Sequence, residues 1–271
     1  MDERRRYREI APGVVWLWLC SAGKGPAGGV HNHTSTYLIL GTEQTLIVDT
    51  GHPAGWADLT VDLDAVLGDR QLDWVVPTHP EIPHSGNLSR LLDKYPGARM
   101  AGDTRDFHLF YPRHRDRLNR RAPGDEIDLG GGYRYVFLDG PIRDLPSTQW
   151  GYERSQRVLF TSDGLGYTHH PPVDGEPVHL PGECSLISTE LPTIPDPVQA
   201  GYLTRSALSW TRYVDMEPIF ARIADMVAEY PPALVAPAHG NVIGDLDRMM
   251  PIIREAHRLA PDNAAITDSL G

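Results

Sequence analysis

Cysteine is scarce: the 271 residues include only Cys20 and Cys184, far apart and in no CxxC pair. That excludes a disulfide-stapled scaffold and gives no sign of a thiolate metal knot, and a reducing cytoplasm is the expected setting. Positive charge is also in short supply, with 25 Lys and Arg against 36 Asp and Glu and a formal net charge of -11. Such a field repels phosphate, so neither nucleic acid nor anionic lipid is an expected partner. No apolar stretch reaches the roughly 18 residues that a membrane span requires, and none is expected. Arg4, Arg5, Arg6 and Arg8 ahead of the apolar run 10–20 look like the start of a signal peptide. Pro12 and Gly13 break that run, however, and no small-residue cleavage site follows it closely.

Turn formers are plentiful instead. With 24 prolines, 26 glycines and 41% hydrophobic residues, the chain reads as a loop-rich, β-containing globular protein, and one domain over residues 1–271 is expected. Short β-branched or aromatic runs predict strands at 14–20, 36–40, 45–49, 74–76, 133–138, 158–161 and 234–236, with a glycine-rich loop over 21–29. Apolar residues at helical spacing predict helices near 56–67, 88–95 and 216–230. Strands and helices alternate in both halves, which suits two sheets with helices outside. Residues 167–197 carry many prolines and two adjacent histidines, and are expected to form an irregular insertion or lid.

The densest chemical signal is Thr78-His79-Pro80-Glu81-Ile82-Pro83-His84-Ser85-Gly86-Asn87, with three donors in six residues. Its two prolines predict a loop after the strand at 74–76 rather than a regular helix. Imidazole and carboxylate at this density suit a first-row transition metal, although scattered surface histidines give a similar local pattern. Three further strand ends carry donors: Asp49 in Val48-Asp49-Thr50-Gly51, Asp163 in Phe160-Thr161-Ser162-Asp163-Gly164, and His239 in Pro237-Ala238-His239-Gly240.

In order and spacing these segments resemble the metallo-β-lactamase superfamily over nearly the whole chain, and within it the oxygen-binding di-iron branch typified by flavodiiron proteins. The resemblance implies an α/β fold, the αββα sandwich. Hydrolases of that superfamily carry HxHxDH, whereas the di-iron branch carries HxExDH. This chain has His79-x-Glu81-x-Pro83-His84, so its second position matches the di-iron branch and its fifth matches neither. The resemblance further implies that His79 and Glu81 bind one metal, that His84 and His239 bind the other, and that Asp163 bridges them. A family histidine expected in a P-x-x-H-x-P segment meets Pro141-Ile142-Arg143-Asp144-Leu145-Pro146 here, which makes Asp144 the sixth candidate ligand. Asp49 is implied to hydrogen-bond the ligands rather than bind metal.

Three histidines and three carboxylates favour two iron ions, with manganese or zinc as alternatives. Pro83 cannot supply the carboxylate that helps hold the attacking water in the hydrolases, which counts against hydrolysis. The preferred expectation is a stand-alone non-heme di-iron monooxygenase that activates O2 as co-substrate and hydroxylates an organic substrate in antibiotic or other natural-product biosynthesis. That substrate is envisaged as a small molecule linked to CoA or to a carrier, with an external electron donor and a homo-oligomeric state as further expectations. The alternatives are a thioesterase- or lactonase-type metal hydrolase, and a flavodiiron-like O2 or NO reductase served by a separate reductase, since no flavodoxin segment is expected within these 271 residues. A degenerate binding protein is the remaining reading.

Other residues have both a functional and an ordinary reading. His31 and His33, in a loop leading into a strand, either face substrate or are surface histidines. His169, beside His170, either lines the pocket or belongs to the irregular insertion. Arg113, Arg115, Arg117, Arg120 and Arg121 form one basic cluster in an acidic chain. Arg117 and Arg120 would suit the phosphate of a CoA or carrier handle, while the bland reading is a solvated face.

Overall fold

Val14, Trp16 and Trp18 alternate with Val15 and Leu17, and all five side chains are buried. A strand apolar on both faces must be covered on both, and the rest of the chain supplies the covering. The computed structural model describes residues 6–25, 28–168 and 182–259. The first sheet runs in chain order through β1 (Tyr7–Ala11), β2 (Val14–Gly25), β3 (Gly28–Leu40), β4 (Thr45–Val48), β5 (Trp74–Val76), β6 (Arg99–Gly102) and β7 (Leu118–Arg120). Strands β1 to β4 pair antiparallel and β4 to β7 parallel. The parallel crossovers contain α1 (Trp56–Leu67), α2 (Ile82–Ser85), α3 (Leu88–Lys94) and α4 (Phe107–Phe110).

The second sheet holds β8 (Glu126–Gly130), β9 (Tyr133–Asp139), β10 (Gln149–Glu153), β11 (Val158–Phe160) and β12 (Leu234–Ala236), and only the β11–β12 pair is parallel. Helices α5 (Pro197–Ser206), α6 (Glu217–Glu229) and α7 (Leu246–Arg258) follow β11 in sequence, with β12 between the last two. Trp16, Tyr37 and Val76 meet Tyr135, Phe137 and Phe160 between the sheets. Val15, Leu38 and Ile47 pack outward against Leu63, Leu88 and Leu91 of α1 and α3. On the far side Trp150, Leu159 and Val235 pack against Phe220, Ile223 and Ile253 of α6 and α7. The order helix, sheet, sheet, helix is the expected αββα sandwich. No helix among the described residues is long and apolar enough to cross a membrane.

Three local expectations need correcting. The loop expected over 21–29 is largely strand, because β2 and β3 continue as one long hairpin in register from Val14↔Ile39 to Gly25↔Gly28. His31 and His33 therefore stand in β3, buried rather than on a surface loop. The loop expected after β5 contains the helical turn α2, with Pro83 in its first turn, where the missing N–H has no intrahelical partner to lose. Of the segment 167–197, residues 169–181 lie outside the described residues, and His169 and His170 with them.

Candidate metal centre

Parallel neighbours end level with one another: Val48 pairs with Val76 and Phe160 with Ala236. The turns after β4, β5, β11 and β12 therefore leave the two sheets on a common edge, and they carry Asp49, His79, Asp163 and His239. The edges are tied by main-chain bonds from Gln149 N–H to the Thr78 carbonyl at 3.0 Å and from Ser35 N–H to the Ala238 carbonyl at 2.8 Å. Asp144 comes from the connection between β9 and β10, and His84 from α2.

Each of the three histidines is held at Nδ1 and presents Nε2 to carboxylates. His79 Nδ1 lies 3.1 Å from Ser162 Oγ, His84 Nδ1 2.9 Å from Asp49 Oδ2, and His239 Nδ1 2.6 Å from the main-chain carbonyl of His33. His84 Nε2 and His239 Nε2 face Asp163 Oδ1 at 3.3 and 3.2 Å. His79 Nε2 faces the other oxygen, Asp163 Oδ2, at 3.7 Å, with Asp144 Oδ1 at 3.4 Å and Glu81 Oε2 at 3.9 Å. The sequence-nominated residues His79, Glu81, His84, Asp144, Asp163 and His239 thus gather around one carboxylate whose two oxygens address different histidines.

Asp163 is buried, and its surroundings set its charge. Burial alone would raise its pKa, but attraction to His84 and the close approach of the His239 ring outweigh that and hold the carboxyl well below its ordinary range. His84 is pushed the other way: burial disfavours its charged form, yet Asp163 and Asp49 raise it well above an ordinary histidine. Burial raises Asp144, while the neighbouring His79 ring lowers the half-exposed Glu81.

The donor set fits metal. His79 Nε2, His84 Nε2 and Asp163 Oδ1 are buried without hydrogen-bond partners, although each lies near a group of opposite character. Buried polar atoms are costly to leave unmatched, and a cation among them would satisfy all three. Two overlapping donor triads have their ligand atoms within 4.8 Å of one another, His79–His84–Asp163 and His79–Glu81–Asp144. Nitrogen and carboxylate oxygen without sulfur suit iron or manganese. An open cleft of about 400 Å³ lies beside Asp144, lined also by Arg143, Leu145 and Trp210.

The supporting residues are strained or small where the geometry demands it. Asp49 (φ 58°) and Ser162 (φ 52°) adopt the left-handed backbone that costs most residues about 1–2 kcal/mol. Asp49 also accepts the Thr78 N–H at 2.7 Å, so one carboxylate fixes both the His84 ring and the turn before His79. After His239, Gly240 has φ 93°, and a Cβ there would sit 2.6 Å from the Tyr167 carbonyl.

Other nominated residues are placed differently. His33 gives the site its carbonyl, while its ring packs edge-on against Trp16 at 5.4 Å. The Arg117 guanidinium donates to the carbonyls of Leu92, Tyr95 and Ala98, so it closes a turn instead of offering a phosphate handle. Arg120 lies exposed on the edge strand β7. Sequence reasoning assigned no role to Thr78 or Ser162, whose hydroxyls are 2.9 Å apart beside His79; the available signal was a hydroxyl residue directly preceding the candidate ligands His79 and Asp163.

Comparison with known proteins agrees with this fold. The model of the metallo-beta-lactamase superfamily matches residues 30–239. Putative diflavin flavoprotein A 2 of Nostoc sp. is 30% identical over 142 residues, which is 51% of this chain and 24% of that protein. The anaerobic nitric oxide reductase flavorubredoxin of Aliivibrio fischeri is 28% identical over 137 residues, 49% of this chain and 27% of that protein. The chain thus covers about a quarter of the length of these relatives. Among solved structures, a flavoprotein of Thermotoga maritima superposes with a TM-score of 0.71 at 14% identity, covering 95% of this chain and 62% of that one. Rubredoxin oxygen:oxidoreductase of Desulfovibrio gigas gives 0.69 at 16% identity, covering 93% and 61%. The chain belongs to the metallo-beta-lactamase superfamily and resembles its flavodiiron-like branch.

Proposed function

We propose that this chain is an oxidoreductase domain that holds two iron ions and reduces O2 or NO with electrons from a separate donor. One observation carries the reading: three Nε2 atoms converge on the two oxygens of the buried Asp163 carboxylate. His79, Glu81 and Asp144 would hold one ion, His84 and His239 the other, and Asp163 would span them. Iron would supply reversible electron transfer and open positions for a diatomic ligand. The protein's own part is positional. Asp49, Ser162 and the His33 carbonyl fix the three rings, and Pro83 leaves the His84 side one donor short of the HxExDH pattern, hence more open.

The names of the relatives, a nitric oxide reductase and an oxygen:oxidoreductase, support reduction of a small gas over biosynthetic hydroxylation. The CoA or carrier handle loses one of its two arginines, with Arg117 committed to main-chain carbonyls. Glu81 and Pro83 stand where a hydrolase has histidine and aspartate. The test is anaerobic loading with ferrous iron, addition of a chemical reductant, and measurement of O2 and NO consumption. Gas uptake without an organic co-substrate is expected. Uptake only alongside a hydroxylated product would favour the monooxygenase instead, and ester cleavage by zinc-loaded protein the hydrolase.

A further inference from the structure

The two cysteines, remote in sequence, meet in space. Cys20 lies on β2 opposite His33, and His31 lies two residues before His33 on β3, opposite Ala22. Directly opposed and diagonal residues of an antiparallel pair share one face. Here it is the face of Trp16 and Trp18, turned toward the second sheet. Cys184 arrives from a short helical turn, Glu183–Ser185. Its Sγ, the Cys20 Sγ and a ring nitrogen of His31 all lie within 4.8 Å of one another. His31 is buried and both cysteines are partly buried.

We propose that Cys20, His31 and Cys184 form a second metal site, for a borderline-soft divalent cation of the zinc class, separate from the carboxylate-rich centre. Two sulfurs and an imidazole are donors that zinc takes in tetrahedral sites, with the fourth position left for water or a further ligand. The carboxylate-rich centre, with no sulfur, selects harder ions. A redox-active dithiol is the rival reading of two neighbouring cysteines, and a disulfide formed in the presence of zinc and reductant is the outcome that would favour it.

The turn is anchored where a clasp would matter. Asn241, two residues after His239, donates through Nδ2 to the carbonyls of Leu186 at 2.8 Å and Glu183 at 3.3 Å. Arg8 donates to the Ser185 carbonyl at 2.8 Å and pairs with Glu190. A cation bound by the trio would lock this turn to the β2–β3 hairpin, the same hairpin whose His33 carbonyl holds His239.

The test is independent of what the carboxylate-rich centre binds or catalyses. Full-length protein, stripped of metal under reductant, is titrated with cobalt(II). The proposal expects a near-ultraviolet thiolate-to-cobalt charge-transfer band, which nitrogen and oxygen donors cannot produce. The band should vanish in Cys20→Ser and Cys184→Ser, while iron uptake at the carboxylate-rich centre stays as in the wild type. A wild-type protein without the band, or variants that keep it, would overturn the proposal. If a variant fails to fold, the wild type still decides. Zinc should protect both thiols from maleimide labelling, and equal labelling with and without zinc, or a Cys20–Cys184 disulfide formed in the presence of zinc and reductant, would refute the site.

Discussion

The donors around Asp163 and the trio Cys20, His31 and Cys184 are gathered by different means. The first cluster is built at strand ends, where four turns leave parallel-paired strands on one edge and each delivers a donor. The second is built from within a hairpin and closed by a turn from far along the chain. Hard oxygen and nitrogen donors fill the first and sulfur enters only the second. The difference teaches that strand-end donors leave a readable order in the sequence, whereas donors joined by hairpin register and a returning turn leave none.

The strongest way to break the comparison is to remove the carboxylate on which the first cluster converges. Asp163→Asn takes away the charge that faces all three histidines, and iron content should at least halve while gas consumption falls roughly 100-fold or more. Cobalt bound at the cysteine trio should remain. Full iron retention, read by elemental analysis, would show that Asp163 is not shared.

A control comes from His257, which is buried with Thr211 Oγ1 3.2 Å from Nδ1 and the Phe220 ring edge-on to it at 5.5 Å. Burial without a carboxylate lowers its pKa to about 4, the reverse of His84. The unfolded chain then binds more protons than the folded one between about pH 6.5 and pH 4. Stability from neutral His257 is therefore complete above about pH 6.5, declines as the pH falls toward 4, and then levels off, a change of about 3 kcal/mol. His257→Gln should flatten this part of the denaturation profile, and an unchanged slope would contradict the assignment.

Asp49→Asn is a smaller perturbation, because it keeps the shape and loses the charge that holds His84 Nδ1. A loss of about 10- to 100-fold in metal affinity is expected by chelator competition, with the fold preserved in circular dichroism. Wild-type affinity would mean that Asp49 shapes the turn only. Ser162→Ala should cost least, about 1 kcal/mol for a lost hydrogen bond to His79, seen as a several-fold weaker affinity; no change would leave Thr78 as sufficient support.

Much of the frame was legible because the elements that position the donors are short, apolar and bounded by turn formers. β5 and β12 fall where the runs at 74–76 and 234–236 placed them, and α1 where the apolar spacing did. The weak patterns were missed: β6 has four residues ending in glycine, and β10, Gln149–Glu153, is wholly buried despite its polar ends. Helix α5 was also missed, although Asp196 and Gln199 form a capping box at its start. Pro83 misled because proline is tolerated in a first helical turn, and the glycines of 21–29 misled because hairpin pairing overrode their preference for loop. In the candidate site the side-chain donors could be read from type and order. The His33 contribution could not, since a main-chain carbonyl carries no residue signature.

Anomalous scattering at the iron edge from crystals of iron-loaded protein tests the central claim most directly. Two peaks should flank Asp163, one beside His79, Glu81 and Asp144 and the other beside His84 and His239. A single peak, or peaks distant from Asp163, would contradict a dinuclear centre.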